Sequence, residues 1–105
     1  MPKKNVDSKG FDKAISGDKP VLVDFFAAWC GPCQIMHPIV EEIEKEAKDF
    51  SVVKVDLDQS PEIAAKNNVM SVPTFIIFKN GKEAERIVGA VPKELLVKKV
   101  LATIK

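Results

Sequence analysis

The chain has 105 residues, with 46% hydrophobic and 30% charged residues, and we expect residues 1–105 to form a single globular domain. Its net charge of +1 and single arginine argue against nucleic-acid binding, which requires a basic surface. No apolar run approaches the roughly 18 residues that a membrane span needs, and no secretory leader follows the polar first residues. These features predict a cytoplasmic protein that binds neither nucleic acid nor membrane.

The first half of the chain predicts a short helix, a buried strand and a long helix. The short helix begins at Asp7 and follows a short N-terminal strand. The run 21–27 is apolar on both faces apart from Asp24, which is typical of a central strand covered on both sides. Residues 30–49 then show helical periodicity, and Pro38 is expected to kink this helix without ending it. Its predicted buried stripe consists of Ile35, Met36, Ile39, Val40, Ile43 and Ala47.

The second half predicts a strand, a short helix, a hairpin and a final helix. Residues 51–57 are rich in β-branched side chains and form the strand, which the short helix follows. Runs 74–78 and 83–88 flank Asn80-Gly81, the preferred pair for a type I′ hairpin turn. The last helix starts near Pro92, and its predicted buried face consists of Val97, Val100, Leu101 and Ile104. The order (β)αβαβαββα predicts a mixed sheet with helices on both faces.

The only two cysteines lie where the central strand passes into the long helix, in the stretch Trp29-Cys30-Gly31-Pro32-Cys33. Cys30 lies at the predicted helix N-terminus, where unpaired N–H groups and the helix dipole favour negative charge. We therefore expect its thiol pKa to lie below the free value of about 8.5. Cys33 lies one turn further on the same face, and Gly31 and Pro32 permit the tight entry into the helix. The spacing predicts a reactive dithiol, in which Cys30 attacks a disulfide and Cys33 resolves the product.

Other interpretations of the cysteines are a permanent structural disulfide, two buried free thiols or a zinc half-site. A structural disulfide would close too short a loop to stabilise the chain much. A zinc site built from Cys30, Cys33 and His37 would lack a fourth ligand, because the chain has no other cysteine or histidine. His37 either changes the proton affinity of Cys33 or lies on the solvated helix surface, and the surface position is the more common one.

Asp24 is a further candidate for chemistry, because it interrupts the apolar strand that leads into the cysteines. Burial is expected to raise its pKa and to make it a proton donor or acceptor near neutral pH. The alternative is a structural pair with Lys54 on the neighbouring strand, and the two roles are compatible. Val72 and Pro73 are either a plain strand start or a tight turn with a cis bond, whose backbone binds an extended substrate. Trp29 is either a core anchor or the rim of a contact surface.

Together, these residues resemble the thioredoxin family over almost the whole chain. The family's active-site motif stands intact at 29–33, and further matches are Phe25, Ala27, Pro38, Lys54, Asp56, Asp58, Pro73, Thr74, Phe78, Lys79, Asn80, Gly81 and Gly89. The resemblance implies a three-layer α/β/α fold with a five-stranded mixed sheet and four helices. The chain departs from the common family pattern at Phe26, Gln34, His37, Met70 and Ser71.

The resemblance also implies a function, that of a protein-disulfide reductase contributing to cell redox homeostasis. The implied catalytic residues are Cys30, Cys33, Asp24 and Lys54, with a redox-active disulfide between Cys30 and Cys33. The implied substrate-binding surface consists of Trp29, Gly31, Pro32, Val72, a cis Pro73, Gly89 and Ala90. No metal or other cofactor is implied. Electrons would come from a thioredoxin reductase, usually a flavoprotein that uses NADPH, and would go to disulfide-containing protein substrates; we expect a monomer.

Two rival functions remain open at this point. An enzyme of the same fold that oxidises or isomerises disulfides would share the cysteines, because the two residues between them do not set the redox potential alone. A non-enzymatic interaction module would use the apolar surface around the cysteines as a docking face.

Overall fold

The computed structural model describes residues 8–104, which form four helices and four strands. In chain order these are α1 (Ser8–Ile15), β1 (Val21–Phe26), α2 (Gly31–Glu46), β2 (Ser51–Asp56), α3 (Pro61–Lys66), β3 (Thr74–Lys79), β4 (Lys82–Val88) and α4 (Lys93–Ala102). From the first helix onward, the predicted order is confirmed. The expected N-terminal strand and the expected cap at Asp7 lie outside the described residues, so the described sheet has four strands where the sequence predicts five.

The first strand, β1, lies inside the sheet, whose strand order is β2-β1-β3-β4. It pairs in parallel with β2 and antiparallel with β3, while β4 pairs antiparallel with β3 at the edge. The sheet is therefore mixed, as predicted. Because ladder hydrogen bonds hold β1 on both sides, the chain that leaves its carboxyl end starts from a fixed position.

Successive residues of β1 point to opposite faces of the sheet, and each face carries its own hydrophobic cluster. The face covered by α1 and α3 is built mainly from Phe11, Ile15, Val21, Val23, Phe25, Ile63, Ala64, Ile76 and Phe78. The face covered by α2 and α4 is built mainly from Leu22, Met36, Val40, Ile43, Phe75, Ile77, Leu96 and Val100. The helices therefore form the two outer layers that the resemblance implies.

The second helix, α2, buries a narrower stripe than its hydrophobic pattern predicts. The helix continues through Pro38 as expected, and its buried residues are Cys33, Met36, Val40 and Ile43. The side chain of Ile35 is 65% exposed, so the prediction that it belongs to the core was wrong. At about 100° per residue, Ile35 lies on the opposite side of the helix from Cys33 and Val40, and the sheet contacts only the latter side.

The predicted buried face of the last helix was also partly wrong. Val100 is buried as expected, but its partner in the core is Leu96, which the predicted face omitted. Leu101 is 47% exposed because it lies about 100° around the helix from Val100. Ile104 is 37% exposed and lies beyond the last helical residue, Ala102.

The hairpin turn has the predicted form. Asn80 and Gly81 both have positive φ values, 56° and 78°, as a type I′ turn requires. The N–H groups of these two residues donate to the carbonyls of Gly17 and Ile15, at 3.1 and 2.9 Å. These bonds fasten the hairpin to the end of α1.

Within residues 8–104, no helix is long and apolar enough to cross a membrane.

Candidate active site

The two cysteines lie at the junction of β1 and α2 and are joined by a disulfide, with Cα atoms 5.2 Å apart. Both side chains are buried, and Ala27 packs beside them. Phe26, Leu57 and Val72 form a partly buried shell around this small cluster. The structure therefore contains the Cys30–Cys33 disulfide that the resemblance implies.

Cys30 occupies the N-cap position of α2, and the backbone N–H of Cys33 donates to its Sγ at 3.1 Å. A helix N-terminus has unpaired N–H groups and a positive dipole end, both of which favour negative charge. When the disulfide is reduced, the same hydrogen bond favours a thiolate at Cys30. Pro32 lies in the first turn, where its missing N–H leaves no intrahelical bond unmade.

The loop before β3 lies directly against Cys30. The Val72-Pro73 peptide bond is cis, and the carbonyl oxygen of Val72 is 3.6 Å from Sγ of Cys30. The N–H of Gly89 donates to the carbonyl of Pro73 at 2.8 Å, which attaches the end of β4 to the same loop. Ala90, the next residue, is exposed. Two distant segments of chain, 72–73 and 89–90, thus meet next to the disulfide.

Trp29 lies at the rim of the site and is 68% exposed, so it is not a core anchor. Its indole Nε1 donates to Oδ2 of Asp58 at 2.8 Å, and the N–H of Asp58 donates to Oδ1 of Asp56 at 2.8 Å. No role for Asp58 was predicted from the sequence. A signal was present, because parallel β1 and β2 end at the same edge of the sheet, which brings the residues after them together. Gly31 and Pro32, which follow Cys30 in the chain, are also exposed.

Asp24 lies within β1 and is 4% exposed, as the apolar run predicts. In the sheet register it is the neighbour of Lys54 on β2 and of Phe75 on β3. Burial raises the pKa of Asp24 to about 7, and the positive charge of Lys54 limits this rise. Its Oδ1 is buried and has no hydrogen-bond partner in the described part of the chain. A carboxyl in this state changes its protonation near neutral pH.

The side chain of Lys54 is only 8% exposed, and its ammonium points to α2. Its Nζ lies 3.7 Å from Oε2 of Glu41 and 3.9 Å from Oε1 of Glu44. Between residues 8 and 104, no group lies within hydrogen-bond distance of this buried Nζ. Lys54 therefore acts on Asp24 through its charge and not through a hydrogen bond.

His37 lies on the surface of α2, the position that the sequence analysis favoured. Its side chain is 49% exposed, and Nε2 is 3.4 Å from Oε2 of Glu41. Among the residues that the structure describes, no three His, Cys, Asp or Glu side chains are grouped as a metal ion would need.

Asp24→Asn is expected to change the pH dependence of stability. The folded chain binds the proton of Asp24 with a pKa of about 7, against 3.8 for an ordinary aspartate. The unfolded chain therefore loses this proton first as the pH rises, and the free energy of unfolding falls between about pH 4 and pH 7. Above about pH 7 the ionised carboxylate lowers the free energy of unfolding by on the order of 4 kcal/mol. Asparagine is uncharged and does not have this effect.

The free energies of unfolding are measured by urea denaturation of the oxidised wild type and variants over a series of pH values. The variant should gain stability relative to the wild type from pH 4 to pH 8, while the exposed control Asp18→Asn should show no such gain. A difference between Asp24→Asn and the wild type that is the same at all pH values would contradict the buried, neutral carboxyl.

Known proteins similar to this chain are thioredoxins, both by family model and by sequence identity. The thioredoxin family model matches residues 2–102. A thioredoxin of Alicyclobacillus acidocaldarius is 49% identical over 87 residues, which is 82% of this chain and 83% of the relative. A thioredoxin of Mycoplasmoides gallisepticum is 45% identical over 94 residues, 89% of this chain and 94% of the relative. The chloroplastic thioredoxin M4 of Arabidopsis thaliana is 46% identical over 95 residues, 90% of this chain, although the match spans only 49% of that longer protein.

Solved structures agree with these relatives. The thioredoxin of Fasciola hepatica superposes with a TM-score of 0.86 at 38% identity, covering 92% of this chain and 94% of that one. The thioredoxin of Plasmodium falciparum gives a TM-score of 0.86 at 38% identity, covering 95% and 98%. Proteins of this kind carry the exchanged electrons in their own cysteines and need no separate cofactor. These matches, with the Cys30–Cys33 disulfide at the head of α2, show that the chain belongs to the thioredoxin family and is a thiol–disulfide oxidoreductase that reduces protein disulfides.

Proposed function

We propose that Cys30 and Cys33 divide the reduction of a partner disulfide into two exchange steps. In the first step the Cys30 thiolate attacks one sulfur of the partner disulfide, forms a mixed disulfide and releases the other sulfur as a thiolate that takes up a proton. In the second step the Cys33 thiolate attacks the sulfur of Cys30 and releases the partner's remaining thiol. The products are a reduced partner and the Cys30–Cys33 disulfide, so two electrons and two protons pass to the partner.

The hydrogen bond from the N–H of Cys33 to Sγ of Cys30 is the observation that carries this assignment. Through this bond the sulfur of Cys30 caps the N-terminus of α2, a position that favours negative charge. The attacking sulfur must be a thiolate, so this position suits the attacking role. Cys33 lies inside the first turn of α2, within disulfide distance, which suits the resolving role.

Asp24 is proposed to accept the proton of Cys33 in the second step. Asp24 is two positions from Leu22 in β1, so it points to the same sheet face, which α2 covers; Cys33 belongs to the buried stripe of that helix. A pKa of about 7 lets the carboxyl take up and release a proton at neutral pH. Lys54 supports this role because its positive charge opposes the effect of burial and keeps part of the Asp24 population ionised.

The partner is proposed to bind in an extended form across the disulfide. The exposed residues Trp29, Gly31 and Pro32 are the chain neighbours of Cys30. Val72 contacts its sulfur, and the Gly89–Pro73 hydrogen bond brings the segment of Gly89 and Ala90 to the same loop. An extended chain in this position can form main-chain hydrogen bonds with the backbone at Val72, as in strand addition.

Thioredoxins act on disulfide-containing substrates and are in general re-reduced by a thioredoxin reductase. For this chain we assign the re-reduction to a flavoprotein that uses NADPH. We further propose that the protein is cytoplasmic, because the dithiol form persists in a reducing compartment. We also propose that it is a monomer of one domain. The net charge of +1 supports a protein partner and not a nucleic acid.

Cys33→Ser is expected to trap the mixed disulfide, because it removes the sulfur that would release the partner. The reduced variant is mixed with a peptide pair joined by one disulfide, and the adduct is weighed by mass spectrometry without reductant. The matched control Cys30→Ser should form little adduct. Full turnover by Cys33→Ser, or an adduct formed by Cys30→Ser alone, would contradict the assignment.

Asp24→Asn is expected to slow the second step at neutral pH by about 10- to 100-fold, which lies at or below the lower end of the roughly 10²- to 10⁴-fold effect of a general base. The first step should keep its rate, because the Cys30 thiolate does not need this carboxyl. Stopped-flow fluorescence of a labelled partner separates the two steps. If the second step ran at the wild-type rate in Asp24→Asn, Asp24 would have no part in the proton transfer.

A further inference from the structure

A row of charged side chains connects buried Asp24 to the surface of α2. Lys54 is the neighbour of Asp24 in the β1–β2 register, and its ammonium lies against the carboxylates of Glu41 and Glu44. Glu41 is in turn in contact with His37. We call these residues, Asp24, Lys54, Glu41, Glu44 and His37, the charge ladder.

The position of the Lys54 ammonium is the critical feature of the charge ladder. The side chain is 8% exposed, so water screens its charge far less than it screens a surface lysine. Its Nζ and Oδ1 of Asp24 are both buried without a hydrogen-bond partner in the described residues. Among residues 8–104, the carboxylates within 4.0 Å of Nζ are those of Glu41 and Glu44 on α2, and they attract the ammonium to the helix side.

We propose that Glu41 and Glu44 are positioning residues for disulfide exchange, which hold Lys54 against α2 and thereby keep Asp24 able to bind a proton at neutral pH. This inference rests on the proposed role of Asp24. Removing one carboxylate has two effects with the same sign. The loss of the carboxylate frees Lys54 to approach Asp24, and it removes a negative charge near the Asp24 carboxyl. Both effects favour the ionised form of Asp24 and move its titration to lower pH.

The other groups around Asp24 do not compete with this effect. The neighbouring residue on β3, Phe75, is apolar and buried. Asp56, further along β2, accepts backbone hydrogen bonds from Asp58 and Gln59 through Oδ1. The cysteines do not titrate while they form a disulfide. On α2, Glu41 and Glu44 face Lys54, and Lys45 lies one turn along the helix from Glu41, while Glu42 and Glu46 pair with Lys93 of α4.

The test is a carbon-13 NMR titration of the Asp24 carboxyl in the oxidised protein, where no cysteine titration interferes. Glu41→Gln is compared with Glu42→Gln, which removes the same charge from the adjacent position but breaks a pair with Lys93 at 3.1 Å. Glu41→Gln should lower the titration midpoint of Asp24 by about half a pH unit or more beyond any change in Glu42→Gln. An equal change in both variants, or a higher midpoint in Glu41→Gln, would overturn the proposal.

A second comparison tests whether Glu41 acts through Lys54. In a Lys54→Met background, the shift caused by Glu41→Gln should be smaller than in the wild type, because there is no ammonium to release. Shifts of equal size in both backgrounds would show that Glu41 acts on Asp24 independently, which contradicts a positioning role.

The pH dependence of the second exchange step links the charge ladder to the reaction. The pH at which the second step reaches half of its maximal rate should be lower in Glu41→Gln than in the wild type, as the NMR midpoint of Asp24 should be. In Glu42→Gln this pH should not change. Because NMR follows the proton of Asp24 directly, the titration tests the charge ladder even if Asp24→Asn leaves the second step unchanged. That kinetic result would reject the proposed role of Asp24, whereas unchanged midpoints would reject only the charge ladder.

Discussion

The burial of Asp24 in the central strand is the constraint on which the rest of the site depends. An ionised carboxylate is costly there, and burial raises the pKa of Asp24 to about 7. Ladder hydrogen bonds hold β1 on both sides, and the same strand leads to Cys30. Acid and disulfide therefore share one rigid element. A buried acid that lowers stability at neutral pH is typical of functional sites, where activity and stability oppose each other.

The junction of strand and helix holds the two cysteines of the disulfide. At the head of α2, the N–H of Cys33 points to Sγ of Cys30, so the fold itself favours negative charge at one sulfur. The loop containing Val72 lies against the same sulfur, and Trp29 is held at the rim by Asp58. Under the proposed mechanism, these segments surround the sulfur that attacks the partner disulfide. The electrostatics of the reaction thus follow from backbone geometry and burial more than from any concentration of charged side chains.

Local sequence patterns were sufficient for much of this structure. The family motif at 29–33 implied the disulfide, the interrupted apolar run predicted a buried Asp24, and Asn80-Gly81 predicted the turn. The hydrophobic pattern predicted too wide a buried stripe for α2. Apolar residues follow one another there, and the pattern does not show which of them contact the sheet; Ile35 does not and is exposed. The contacts of Lys54 with α2 were not predictable in this way. They depend on how the helix packs across β2, a long-range arrangement that no local period encodes.

The equilibrium of the Cys30–Cys33 pair with glutathione tests most directly whether this protein reduces disulfides. The oxidised and reduced forms are separated after incubation in buffers of known glutathione potential. A reductase should give a potential near −270 mV, about the value typical of thioredoxins, so that electrons flow from its dithiol to most accessible disulfides. A potential near about −180 mV or higher, typical of disulfide isomerases and oxidants, would contradict the assigned direction of electron flow.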